Sequence, residues 1–119
     1  MTTKKAVTDD QRVFETGAMR NSGKNKLHFA GCFDPRIIAD YAQFIRTSNA
    51  DKRDDANWKL GIPVDEALQS LLRHVVDLWM LVEGFQPERP EDGTLPTVED
   101  ACAAIWFNTQ VIWRNELDS

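Results

Sequence analysis

Residues 64–83 read VDEALQSLLRHVVDLWMLVE, and this stretch decides the fold. Val64, Ala67, Leu68, Leu71, Leu72, Val75, Leu78, Trp79 and Val82 recur at spacings of three and four, the period of a helix with one broad apolar face. Glu66, Ser70, Arg73, His74 and Asp77 form the opposite, polar stripe. Gly84 supplies the residue type that ends helices in a left-handed conformation.

Two further helices follow from the same rules. Asp34-Pro35 opens one, with Asp as cap and Pro at the first helical position. Ile37, Ile38, Tyr41, Phe44 and Ile45 give it an apolar side, to about Arg46. Thr97 with Asp100 reads as a capping box and starts the last helix, which runs to about Arg114. The segments between are polar or rich in Gly and Pro, and read as loops: 16–31, 47–63 and 85–96. Residues 1–15 read as a flexible N-terminal tail, and 16–119 as a single helical domain. The expected fold is all-α, a small bundle of three main helices with long loops. Met80, Leu81, Phe107 and Trp113 lie off the main apolar faces. That excess width points to a bundle completed by oligomerisation, as a homodimer or homotetramer.

Composition narrows the function classes. The chain has 119 residues and a net charge of −5, which argues against a nucleic-acid partner. Its apolar runs, such as Leu78 to Val82, are far short of the roughly 20 residues of a membrane span. The lysines near the N-terminus precede no apolar stretch, so no secretory signal is expected and the reading is cytoplasmic. Cys32 and Cys102 read as free thiols. The charge is uneven: residues 1–28 carry six Lys/Arg against three acids, and residues 29–119 carry eight against sixteen.

Four constellations can carry chemistry. On the polar stripe, Glu66, Ser70, His74 and Asp77 fall on one line. They suit a divalent metal or a water held for general-base attack, and equally a solvent-facing stripe. Glu99 and Asp100 open the last helix, and Asn108 sits about 80° round the axis from Asp100. Capping alone explains Asp100, and a buried amide at 108 needs some partner. Arg20, Lys24, Lys26 and His28, with Gly17 and Gly23, suit phosphate oxygens or form a solvated linker. Asn57-Trp58-Lys59 offers an indole that stacks on a base or anchors a core.

Taken in order, these pieces resemble a known family. The segments are Thr16-Gly17-Ala18-Met19-Arg20, Lys24-x-Lys26 before His28-Phe29, Asn57-Trp58-Lys59-x-Gly61-Ile62-Pro63, and Leu72-Arg73-His74. An acidic residue before an alanine-rich stretch ending in Phe107-Asn108 completes the set. Over about residues 15–112 this is similar to the bacteriophage dATP/dGTP diphosphohydrolase N-terminal domain family, related to the MazG-like all-α nucleotide pyrophosphohydrolases. The resemblance implies a hydrolase that converts a (d)NTP to the (d)NMP and pyrophosphate with Mg²⁺ and works as an oligomer. It implies His74 and Asp77 in catalysis, and Glu66, Asp77, Glu99 and Asp100 around the metal. Arg20, Lys24, Lys26, His28, Asn57, Trp58, Lys59, Arg73 and Asn108 would meet the nucleotide. Those enzymes hold metal with ExxE and ExxD pairs, whereas here Glu66 is followed by Gln69 and Asp100 by Ala103. The alternative is a non-catalytic nucleotide-binding or sequestering protein on the same scaffold.

Overall fold

Local rules place the helix starts, and the computed structural model, which describes residues 11–21, 25–88 and 93–119, shows them in place; the helices expected to end near Arg46 and Arg114 run on to Asn49 and Leu117. The chain falls into two units, Met1–Asp34 and Pro35–Ser119. Within the described residues the first unit holds strands β1 (Gln11–Val13) and β2 (Met19–Asn21) and a short helix α1 (Phe29–Cys32). The second holds α2 (Pro35–Asn49), a 3₁₀ turn (Asn57–Leu60), α3 (Val64–Val82) and α4 (Val98–Leu117). The described chain is therefore mostly helical, with three main helices as expected and one small sheet that was not. No helix among the described residues is long and apolar enough to cross a membrane.

The hairpin falls where the sequence reads as tail and loop. β1 and β2 pair antiparallel, with Val13 opposite Met19 and Arg12 opposite Arg20. Phe14 N–H donates to Ala18 O (2.8 Å) and Gly17 N–H to Phe14 O (2.9 Å), which closes a three-residue loop. That loop needs a positive φ at its last position, and Gly17 supplies it at 90°. The glycine of the Thr16–Arg20 motif thus has a complete structural explanation. Residues 1–10 of the expected tail lie outside the described residues.

α3 and α4 form the centre of the second unit. Asn115 meets Ile62, Asn108 meets Ser70, and Gln86 meets Pro96, so the two helices run antiparallel. The buried apolar side chains of the described residues are small: Ala67 on α3, with Ala101, Ala103, Ala104 and Val111 on α4. Small residues let the two axes approach closely, and a close-packed seam does not tolerate bulk. The ends of both helices are made as the sequence indicates. Thr97 Oγ1 accepts from Asp100 N–H, and Asp100 Oδ2 accepts from Thr97 N–H, each at 3.1 Å. Gly84, at φ 92°, ends α3. Phe85 N–H reaches back to Met80 O (2.8 Å) and Gly84 N–H to Leu81 O (3.1 Å), the paired bonds of a Schellman stop.

α2 docks on α4 through Tyr41. Its ring meets Trp106 edge-on at 5.0 Å, and its hydroxyl accepts from Gln110 Nε2 at 2.9 Å. Burial raises the Tyr41 pKa, and the Gln110 hydrogen bond opposes this in part. A raised value means the fold favours the neutral phenol. That contribution to stability is complete below about pH 10 and is lost as pH rises through the folded value. Tyr41 is the chain's single tyrosine, so its phenolate absorbance reads the effect directly. The expected midpoint in the folded protein lies above that of the urea-unfolded chain; equal midpoints would remove this contact from the account.

Candidate functional site

Three helices and one loop converge on a cleft of about 310 Å³ in the second unit. α2 contributes Phe44, Ile45, Ser48 and Asn49 from its C-terminal turns, and α3 contributes Ser70 and His74. α4 contributes Ala104, Phe107 and Asn108, and the loop between α2 and α3 brings Arg53, Asp55, Asn57, Trp58 and Ile62. A hollow of this size that brings aromatic walls together with hydrogen-bonding and charged side chains suits a small polar ligand.

The loop is fixed by its own sequence. The 3₁₀ turn places Trp58 edge-on to Phe107 at 5.9 Å, with the Arg114 guanidinium 5.6 Å from the Trp58 ring centre. Asn115 Nδ2 donates to Ile62 O at 3.1 Å and ties down the end of the loop. At its start, Ala50 is held at φ 47°, a conformation that costs a residue with a Cβ about 1–2 kcal/mol. This bend follows Asn49, which is 8% exposed. Asn49 Oδ1 accepts from Arg53 Nε at 2.7 Å, and its Nδ2 donates to Asp55 Oδ1 at 3.2 Å. Arg46 contacts the other oxygen of Asp55 at 3.4 Å. Asp55 is thus neutralised by Arg46. Arg53, by contrast, makes no ion pair among the described residues and lines the cleft.

Asn108 is 5% exposed, and its orientation is settled by its neighbours. Nδ2 donates to Ala104 O at 2.8 Å and to Ser70 Oγ at 3.3 Å, so Oδ1 is the remaining atom. Among the described residues no protein donor reaches Oδ1. A buried acceptor in this position has a hydrogen bond to offer, and leaving it unmade is costly.

His74 stands where this cleft meets a second groove of about 780 Å³. The two share Phe44, Ser48 and His74, and the second is also lined by Asp40, Glu99 and Asp100. His74 Nδ1 lies 3.6 Å from Asp77 Oδ2, and Asp77 is itself buried.

The expected site residues therefore separate into groups. Asn57, Trp58, His74 and Asn108 meet at the cleft, and Glu99 and Asp100 line the adjoining groove. Asp77 lines neither hollow and contacts His74. Glu66 and Arg73 are exposed outside both, and Lys59 lines, with Arg114, a smaller hollow on the other side of Trp58 and Ile62. Arg20, Lys26 and His28 are exposed on the N-terminal unit, and Lys24 lies outside the described residues. Cys32 and Cys102 are free and exposed. Sequence reading missed Ser48, Asn49, Arg53 and Asp55, whereas Ser70, read as part of the polar stripe, lines the cleft. The one sequence signal for the loop residues is the charge-dense DKRDDANW run at 51–58.

The four carboxylates expected around a metal do not gather in one place, and Asp100 is engaged in its capping box. Among the described residues no three His, Cys, Asp or Glu side chains stand together as ligands for one ion. The donor groups among the described residues do not fit a resident Mg²⁺, which asks for several oxygens in near-octahedral array.

Comparison of the chain with protein-family models, with curated proteins and with solved structures finds no match in any of the three.

Proposed function

We propose that this protein binds a nucleotide, with the base in the cleft of the second unit and a phosphate on Arg53. One observation carries the reading. A single aromatic-walled cleft holds two groups that have no such partner among the described residues: a buried amide acceptor without a protein donor, Asn108 Oδ1, and a guanidinium without a carboxylate, Arg53. An aromatic base has flat faces for Trp58 and Phe107, and an N–H edge for Asn108. A phosphate oxygen pair matches the fork of an arginine. Arg20, Lys24, Lys26 and His28 are proposed as further phosphate contacts on the strength of their charge and sequence pattern. The deoxynucleoside triphosphates suggested by the family resemblance are the first ligands to try.

Hydrolysis to the monophosphate and pyrophosphate is the second reading, and His74 is the observation in its favour. Its imidazole lines both hollows, with Asp77 against Nδ1. Such a pair can hold and deprotonate a water. The decisive experiment incubates the protein with dNTPs and NTPs, with and without Mg²⁺, and resolves bound and released species chromatographically. Retention of an unaltered nucleotide is expected. Pyrophosphate release that is lost in His74→Ala would establish the second reading. Neither retention nor release of any nucleotide would overturn both.

A further inference from the structure

The charges around the cleft set how much phosphate it takes. Among the described residues, Arg53 is the only Lys or Arg that lines it. Asp55, the one carboxylate of the same lining, is occupied by Arg46. The adjoining groove shares Phe44, Ser48 and His74 with the cleft. It is lined by Asp40 from α2 and by Glu99 and Asp100 from α4, and among the described residues by no Lys or Arg. His74 can carry positive charge, but its Nδ1 lies 3.6 Å from the buried carboxylate of Asp77, which offsets that charge.

Resting on the reading that this cleft holds a nucleotide, we infer that it selects a nucleoside monophosphate over the corresponding di- and triphosphates. One guanidinium fork matches one phosphate group. A phosphate monoester carries about −1.5 to −2 charges at pH 7, and each added phosphoryl group brings more charge with no further cation in the lining to meet it. Added groups that turn toward the groove face the carboxylates of Asp40, Glu99 and Asp100, and like charges repel more strongly in a hollow than in open water. Added groups that stay beside Arg53 gain little. Its loop, residues 51–55, sets Asp51, Asp54 and Asp55 against Lys52 and Arg53. A divalent cation would offset the extra charge, but the described residues gather no ligand set for one. Selection of this kind works through repulsion of the wrong ligand as much as attraction of the right one. The size agrees: the cleft holds about 310 Å³, at the small end of the range of about 300–1,000 Å³ for ligand cavities.

The test titrates the full chain calorimetrically with the mono-, di- and triphosphates of adenosine, guanosine, cytidine and uridine and of their deoxy counterparts, in EDTA and again with Mg²⁺. For the base that binds most tightly, the monophosphate is expected to bind about tenfold or more tighter than the triphosphate at low salt, and the gap to narrow as salt rises. Asp40→Asn combined with Glu99→Gln is expected to narrow the gap as well, with the monophosphate affinity kept. Both side chains are exposed, so the fold should survive the exchange; if it does not, the comparison in the unmodified protein still decides. A triphosphate that binds as tightly as the monophosphate or tighter, in EDTA or with Mg²⁺, overturns the inference. That result leaves the nucleotide reading standing and gives the added phosphates to Arg20, Lys24, Lys26 and His28. A gap that the double variant leaves unchanged overturns the part played by the groove. No binding of any nucleotide overturns the reading on which the inference rests, and the inference with it.

Discussion

Arg53→Ala is expected to lower nucleotide affinity about ten- to a hundredfold, the loss of one charge-assisted contact worth about 1.5–3 kcal/mol. The fold should survive the change. Arg53 is exposed, and its one bond among the described residues is from Nε to Asn49 Oδ1. Asn49 keeps its bond to Asp55, and Asp55 keeps Arg46. The gap between wild type and variant should narrow as salt rises, since the contact that only the wild type has is ionic and the cleft opens to solvent. Arg53→Lys should recover part of it, because an ammonium retains the charge without the planar fork. Calorimetric titration at two salt concentrations measures both effects. Equal affinity in wild type and Arg53→Ala would remove the phosphate from this end of the cleft.

Ala67→Leu attacks the scaffold instead. Ala67 is 1% exposed in the seam between α3 and α4, and three added carbons have no space to enter. Overpacking of this kind costs about 1–3 kcal/mol or more, so Tm should fall by roughly 5–15 °C. The cleft depends on the same seam, since Ser70 and His74 come from α3 while Phe107 and Asn108 come from α4. Ligand affinity should therefore fall together with Tm, whereas Arg53→Ala separates the two. Gln69→Leu, two residues on and exposed, controls for the added bulk and should leave Tm nearly unchanged. An Ala67→Leu protein with unchanged Tm would mean that the helices are not packed through this seam.

Helix ends were legible because their causes are local. Pro35 at the start of α2, the Thr97–Asp100 box and Gly84 each act within a few residues, and each stands where its pattern puts it. The β1–β2 hairpin was not legible. Its strands are three residues long and exposed throughout, so no alternation of apolar and polar residues marks them. The site divides along the same line. Trp58, His74 and Asn108 stood out by type: an indole in a polar loop, an imidazole on a polar stripe, an amide among apolar neighbours. Arg53 did not stand out from Lys52, Asp54 or Asp55. What distinguishes it is that Asn49 holds it and Arg46 takes the neighbouring carboxylate, and both facts arise only when the loop closes on α2. Charge balance in a loop is a tertiary property that composition does not resolve.

The central claim is that one cleft reads a base with Asn108 and Trp58 and a phosphate with Arg53. It is tested most directly by titrating isotopically labelled protein with each common nucleotide and following the ¹⁵N–¹H spectrum. The account predicts that the Trp58 indole N–H and the side-chain amides of Asn49 and Asn108 shift saturably with at least one nucleotide. It also predicts that the Trp113 indole N–H, on an exposed ring outside the cleft, stays in place. Saturable shifts that leave Trp58 and Asn108 unmoved, or no saturable shift with any nucleotide, would contradict it.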